Sequence, residues 1–144
     1  MTNQERQTER ALARASLADA GITLAPEDEI EIADLGLGHY RTEGLALVTR
    51  INEPEYCSKW LVLAPGQTCP THFHKRKKET FFAIRGDVTL WIEGEEIVLA
   101  PGRSHTIPVG ARHRFWSKSG AVIEEVSTHD EDSDSYFDDP NIVR

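Results

Sequence analysis

Two histidines one residue apart, followed shortly by a glutamate, are the residues of this chain best suited to chemistry. The histidines are His72 and His74, and Glu79 comes five positions after the second. Side chains at i and i+2 on a β-strand point to the same face, so both imidazoles can reach one ion. A hairpin turn over the basic run Lys75–Lys78 would return the chain, and Glu79 would then open a strand beside the histidines.

A fourth ligand is expected from His113, which follows a proline and glycine turn in the segment PVGARHRFW. Three imidazoles and one carboxylate suit a divalent transition ion such as Mn, Fe, Co, Ni or Zn. Four protein ligands leave about two positions of an octahedral ion open to water or substrate. The sequence therefore predicts a working metal site formed by His72, His74, Glu79 and His113.

The spacing of glycines and prolines around these ligands resembles the two sequence motifs of the cupin family. The first motif is matched by Gly66, the His72-x-His74 pair, Glu79 and Gly86, and the second by Gly102, Pro108, Gly110 and His113. The residue four past the last histidine is Ser117, where the family usually has Asn. Cupins are small antiparallel β-barrels with the metal at the barrel centre. The resemblance therefore implies an all-β, single-domain barrel (a double-stranded β-helix jelly roll).

The pattern of the chain points independently to such a fold. From about residue 44, short β-rich runs such as SKWLVLA, TFFAI and HRFWS alternate with Gly, Pro and Asp turn signals, which is typical of an antiparallel sandwich or barrel. Residues 4 to about 20 are rich in Ala, Leu, Arg and Glu and predict a helix that ends near Gly21. We expect an N-terminal arm at 1–43 packed on the barrel, the barrel at 44–128, and an acidic tail at 129–144, in one domain overall.

Composition excludes several classes of partner. The 144 residues carry 16 Lys and Arg against 24 Asp and Glu, a formal net charge of −8, which argues against nucleic acid. The basic run Lys75–Lys78 is interpreted as a solvated turn. No stretch approaches the roughly 20 apolar residues of a membrane span, and the polar N-terminus lacks the apolar region of a signal peptide. Cys57 and Cys69 are expected to be reduced and buried, which favours a cytoplasmic protein without a disulfide.

The acidic tail begins like an EF-hand calcium loop but does not continue as one. Asp130, Asp132 and Asp134 fit the first positions, whereas Ser135 and Asn141 stand where Gly and Glu are needed. We interpret the tail as solvated, packing through its apolar residues Tyr136, Phe137 and Ile142. His39, His105 and His129 are interpreted as packing or exposed residues.

Three segments resemble the small D-lyxose isomerase cupins in particular. They are NEPEYCSKWLVLAPGQTCP, GLGHYRTEGLALV and VIEEVSTHDEDSDSYFDDPNI, and the last also resembles the cupin tail of sialic acid synthases. The resemblance implies a Mn²⁺-dependent interconversion of D-lyxose and D-xylulose, or of D-mannose and D-fructose. Zn²⁺, Fe²⁺, Co²⁺ and Ni²⁺ remain alternatives to Mn²⁺. The spacing before Glu79 is shorter than in the larger members of that family, so the preferred sugar stays open.

The chemistry is coherent with the residues. An open divalent ion can chelate two adjacent sugar oxygens, polarise the carbonyl and stabilise an enediolate. A general base must then move a proton between C1 and C2, and the candidates are Lys59 and Glu125. Lys59 shares strand parity with Leu61 and is expected to point inward. Glu125 shares a face with Ser127, opposite to Glu124.

Two other classes of function fit the same ligands. A cupin dioxygenase or oxalate-handling oxidoreductase would use Fe or Mn with O₂, and a non-catalytic sugar-binding cupin would lack a positioned base. The partners expected are a small sugar and a second copy of the chain, since closed homodimers are the commonest oligomers.

Overall fold

One helix and eleven short strands make up the chain, and the computed structural model describes all residues from 1 to 144. The helix α1 spans Asn3–Asp19. The strands are β1 (Glu31–Ala33), β2 (Leu45–Asn52), β3 (Cys57–Leu63), β4 (Thr68–Phe73), β5 (Glu79–Arg85), β6 (Val88–Ile92), β7 (Glu95–Leu99), β8 (Ser104–Ile107), β9 (His113–Trp116), β10 (Ala121–Ser127) and β11 (Tyr136–Phe137). A single 3₁₀ turn at Asp132–Asp134 lies between the last two strands.

The strands form two antiparallel sheets. The six-stranded sheet has the order β1-β2-β3-β10-β5-β8, and the five-stranded sheet has the order β11-β4-β9-β6-β7. Their inner faces share one apolar core, in which Leu61 and Phe81 of the first sheet meet Leu90 and Phe115 of the second. This confirms the all-β, single-domain barrel and the N-terminal helix expected from the sequence.

The helix α1 covers part of the outer face of the six-stranded sheet. It begins with a capping box, in which Thr2 and Glu5 each accept a hydrogen bond from the backbone N–H of the other. Ala13 and Leu17 are its buried residues, and they pack in a second apolar cluster with Val62 of β3. The helix is therefore fixed to the barrel by one apolar stripe.

The prediction of a hairpin between β4 and β5 is wrong. The strand β4 pairs with β9 and β11, whereas β5 pairs with β10 and β8, so the two strands lie in different sheets. The turn Lys75–Lys78 crosses from one sheet to the other, as do several other connections of the barrel. Glu79 nevertheless opens β5, as expected.

A bulge in β4 reverses the alternation of its side chains. Cys69 lies opposite Phe115 and His72 opposite His113, so three steps along β4 match two steps along β9. One extra residue of this kind shifts the face on which later side chains lie. The sequence predicted that Cys69 would point away from the histidines, and this is wrong, because Cys69 is a core residue that lines the same interior. Both cysteines are free and buried, as expected.

The acidic segment after β10 is part of the folded body, which corrects its interpretation as a solvated tail. Its strand β11 pairs with β4, with Phe137 opposite His72, and the backbone N–H of Val143 donates to the carbonyl of Leu35. Phe137 and Ile142 pack against the core as expected, but Asp134 is also buried, with 2% of its surface exposed. No helix of the structure is both long and apolar enough to cross a membrane.

Candidate metal centre and active site

Four potential metal ligands meet at one end of the barrel. His72 lies near the end of β4, His74 directly follows that strand, Glu79 opens β5 and His113 opens β9. All four are buried, and their ligand atoms lie within 4.8 Å of one another. The strand ends therefore bring together the residues whose spacing suggested a metal site.

Hydrogen bonds preset each imidazole to ligate through the same nitrogen. In every ring Nδ1 lies within hydrogen-bond distance of a backbone carbonyl: His72 to Pro70 at 2.8 Å, His74 to Asp134 at 3.0 Å and His113 to Ala111 at 2.9 Å. A carbonyl only accepts, so this network assigns the proton of each neutral ring to Nδ1. The three Nε2 atoms then carry lone pairs, which is the arrangement of metal-ligating histidines.

Glu79 shows that these residues fit a cation. Its Oε1 lies 2.9 Å from Nε2 of His113 and 3.4 Å from Nε2 of His74. Oε1 of Glu79 and Nε2 of His113 are buried and have no hydrogen-bond donor. Facing lone pairs repel, and buried polar atoms need partners. A divalent ion shared by the four residues would satisfy both atoms.

The charge states of the ligands suit the same ion. Burial and the neighbouring imidazoles of His113 and His74 hold the pKa of His72 well below its usual range, so this ring is neutral. Burial would raise the pKa of Glu79, but the ammonium group of Lys77 and the adjacent imidazoles of His113 and His74 together hold that pKa well below its usual range. His72 is therefore present as neutral imidazole and Glu79 as carboxylate, the forms that bind metals.

Lys77 is a site residue that the sequence interpretation missed. It is 4% exposed, and its Nζ lies 3.2 Å from Glu79 Oε2, 3.4 Å from Glu125 Oε2 and 2.8 Å from Asp130 Oδ1. Burial would lower the pKa of Lys77, but the three carboxylates raise it above its ordinary value, so the side chain is an ammonium ion. The solvated-turn interpretation is thus wrong for Lys77. A signal was present, since Lys77 lies two positions before Glu79 and so can share its face.

Both candidate bases lie in the same interior as the metal ligands. Burial raises the pKa of Glu125 to about 7, an effect that Lys77 partly offsets and the charge of Glu79 reinforces. Lys59 is buried and donates to Asp130 Oδ2 at 2.7 Å. Burial would raise the pKa of Asp130, but Lys77 and Lys59 hold it well below its usual range. Asp130 therefore contacts two lysines, Lys59 from β3 and Lys77 from the turn between β4 and β5.

An open cleft gives access to this group of residues. Its volume is about 60 Å³, and Leu35, Leu45, Leu47 and Phe137 form apolar parts of its wall. Charged side chains also line it, including Lys59, Lys77 and Arg144. His39, His105 and His129 do not line the cleft.

Comparison with known proteins agrees with the fold. The cupin domain family profile matches residues 59–127. The D-lyxose ketol-isomerase of Cohnella laeviribosi is 39% identical over 96% of this chain and 95% of its own length. The D-lyxose/D-mannose isomerase of Thermosediminibacter oceani is 38% identical over 90% of this chain and 88% of its own length.

A solved structure shows the same architecture at low identity. The L-ribose isomerase of Cellulomonas parahominis superimposes with a TM-score of 0.83 over 98% of this chain and 94% of its own, at 17% identity. Fold and site together define the protein as a cupin with a buried cluster able to bind a metal. Within the cupins, the chain belongs to the D-lyxose ketol-isomerase family and is a sugar isomerase.

Proposed function

We propose that this protein interconverts a free aldose and its ketose with a divalent metal, either D-lyxose and D-xylulose or D-mannose and D-fructose. The observation that carries the proposal is the placement of Glu125 beside the four-ligand cluster. A single ammonium group, that of Lys77, contacts both Glu79 and Glu125. A potential base therefore borders the place where an ion would hold the substrate.

The residues divide into those that hold the ion and those that handle protons. His72, His74, Glu79 and His113 would hold the metal, which we take to be Mn²⁺. When bound, it would polarise the substrate carbonyl as a Lewis acid. Glu125, whose pKa is about 7, can accept and return a proton near neutral pH, which suits the transfer between C1 and C2.

Of the two bases that the sequence suggested, Glu125 is the better supported. Lys59 is engaged with Asp130, and Asp130 in turn contacts Lys77. We infer that Lys59 and Asp130 hold Lys77 in place, while Lys77 neutralises charge beside the reacting carbons. The names of the relatives favour D-lyxose and D-mannose as the sugars to test.

The first experiment is a turnover assay on metal-stripped protein. Mn²⁺ is added back, D-lyxose and D-mannose are offered in turn, and ketose formation is followed by chromatography with an oxygen electrode in the same vessel. We expect interconversion without O₂ uptake, abolished by chelator. Oxygen consumption would instead support the oxidoreductase class, and metal binding without either reaction would support a sugar-binding module.

We further propose that the protein is a cytoplasmic homodimer. Phe82 of β5 and Val126 of β10 are 37% and 40% exposed on neighbouring strands of the six-stranded sheet, which leaves an apolar surface for a second copy. The two reduced cysteines fit a reducing compartment. Light scattering after size-exclusion chromatography should give twice the chain mass, and a monomer at micromolar concentration would contradict the dimer.

A further inference from the structure

Asp134 connects the acidic segment to the turn that carries Lys77. Its Oδ1 accepts from the backbone N–H of Lys75 at 2.9 Å, and its Oδ2 accepts from Arg76 at 3.1 Å and from Lys77 at 3.0 Å. Three successive N–H groups that converge on one carboxylate define the path of a turn. Because Asp134 is almost completely buried, solvent cannot replace these bonds.

The same residue also orients a candidate metal ligand. The carbonyl of Asp134 accepts the Nδ1 hydrogen of His74, across 60 positions of sequence. His72 and His113 use carbonyls only two positions away, those of Pro70 and Ala111. Of the three imidazoles, His74 is thus the one whose orientation depends on a distant segment.

The turn has only one inward side chain. Lys75, Arg76 and Lys78 are exposed, whereas Lys77 is buried against Glu79, Glu125 and Asp130. A small rotation of the turn would move the Lys77 ammonium away from these carboxylates. The bonds to Asp134 oppose such a rotation, since they fix the N–H groups of Lys77 and of the two residues before it.

We propose that Asp134 is a positioning residue of the active site. Its carboxylate fixes the turn that directs Lys77 to Glu79 and Glu125, and its carbonyl fixes the ring of His74. Asp134 acts through these two side chains and does not itself touch the substrate. The kinetic part of this inference rests on the proposed function, whereas the metal-binding and imidazole parts do not.

The test compares Asp134→Ala and Asp134→Asn with the matched control Asp138→Asn. Asp138 is an exposed carboxylate of the same segment, and its side chain pairs only with Arg112. Asp134→Ala keeps the carbonyl that orients His74 but frees the segment that positions it, and we expect Mn²⁺ binding, measured by calorimetry, to weaken by about 10-fold, the lower end of what loss of an outer partner of a metal ligand costs. Its kcat on D-lyxose should fall more than its KM rises. Asp134→Asn, which keeps one acceptor oxygen, should be intermediate, and Asp138→Asn should match the wild type.

Imidazole proton signals in NMR spectra of the metal-free protein provide a readout independent of turnover. The wild type and Asp138→Asn should show slowly exchanging Nδ1 protons for His72, His74 and His113. Both Asp134 variants should lose or broaden the His74 signal alone. A general structural role would disturb all three signals.

The outcomes separate the two proposals. Wild-type-like Mn²⁺ affinity and an unchanged His74 signal in the Asp134 variants would overturn the positioning role. If Asp134→Ala does not fold, Asp134→Asn decides by the same measurements. If the wild type does not isomerise sugars, the proposed function fails, while Mn²⁺ binding and the His74 signal still test Asp134.

Discussion

Glu124 and Glu125 are neighbours in β10 with opposite surroundings. Glu125 is buried among Lys59, Lys77 and Glu79, whereas Glu124 lies on the outer face opposite Trp60 and Phe82. The two glutamates therefore make a matched pair for mutation. They are the same residue type on the same strand, and they differ in the face of the sheet on which their side chains lie.

We expect Glu125→Gln to lower kcat on D-lyxose by roughly 10²- to 10⁴-fold, the contribution of a general acid–base group. Metal content should stay near that of the wild type, because Gln keeps the shape and Glu125 is not one of the four ligands. Steady-state kinetics with elemental analysis measures both quantities. Glu124→Gln should leave both unchanged, and equal effects in the two variants would argue against Glu125 as the base.

Ser117 has a buried hydroxyl without a protein partner. It stands where the cupin motif usually has Asn, and its Oγ is fully buried and makes no hydrogen bond to the protein. Burying an unpaired hydroxyl costs about 1–3 kcal/mol. We therefore expect Ser117→Ala to be at least as stable as the wild type in urea unfolding.

The hydroxyl of Ser127 provides the contrast for that experiment. Ser127 is also buried, but its hydroxyl donates to the carbonyl of Thr128 at 2.7 Å. Ser127→Ala should therefore lose about 1 kcal/mol of unfolding free energy. A similar loss in Ser117→Ala would mean that its hydroxyl contributes to stability.

At the scale of elements, Gly86 fixes the approach of two turns. Its φ is +74°, and a Cβ at this position would overlap the carbonyl oxygen of Gly120. Gly94, in the β6–β7 turn, has a φ of +86° and open space around it. Any other residue would be strained by the positive φ at either position. Only at Gly86 would its Cβ also collide with a neighbouring atom.

We expect Gly94→Ala to cost about 1–2 kcal/mol, the penalty of a left-handed conformation for an L-residue. Gly86→Ala carries the same penalty, and in addition the backbone of Gly120 must move. Its loss of unfolding free energy should therefore be clearly larger, as measured by chemical denaturation of both variants. Equal losses of unfolding free energy in the two variants would show that the backbone around Gly120 moves aside without a measurable energetic cost.

The four ligands could be predicted because their spacing resembles the cupin motifs. Strand parity places His72 and His74 on one face, whereas the hairpin expected to return Glu79 is a crossing between sheets. Lys77 was missed although it lies two positions before Glu79 and so has the same parity. It stands in a run of four basic residues, of which the other three are exposed.

Other features depend on contacts between distant segments and could not be predicted from local patterns. The partial burial of Asp130 and the burial of Asp134 require a chain reversal after β10, and a run of acidic residues is more often solvated. The bulge that turns Cys69 inward follows from the pairing of β4 with β9. The assignment of β4 and β5 to different sheets follows from closure of the whole barrel.

At the scale of the whole molecule, the metal centre links binding to stability. Oε1 of Glu79 and Nε2 of His113 are buried without a donor, so an ion there satisfies atoms that the fold leaves unpaired. Mn²⁺ at 100 times its Kd should add about 2.7 kcal/mol to the unfolding free energy. For a chain of this size that raises Tm by roughly 10 °C.

Differential scanning calorimetry with Mn²⁺, and then with excess chelator, measures this shift. The chelator should restore the lower Tm, and His113→Ala should show almost no shift with Mn²⁺, because it removes a central ligand. An equal rise in Tm for His113→Ala would place the bound ion elsewhere on the protein.

The position of the acidic segment in the chain has a consequence for synthesis. Every strand from β1 to β10 precedes Asp130, and the four metal ligands precede it as well. Asp130 follows the last residue of β10 by only three positions, so it leaves the ribosome almost together with the strand that joins β3 to β5. Until Asp130 and Asp134 do so, Lys77 lacks its 2.8 Å partner and His74 lacks the carbonyl that orients it. Lys77 and His74 can therefore gain these partners only in the last stage of synthesis, when β10 also becomes free to complete its sheet.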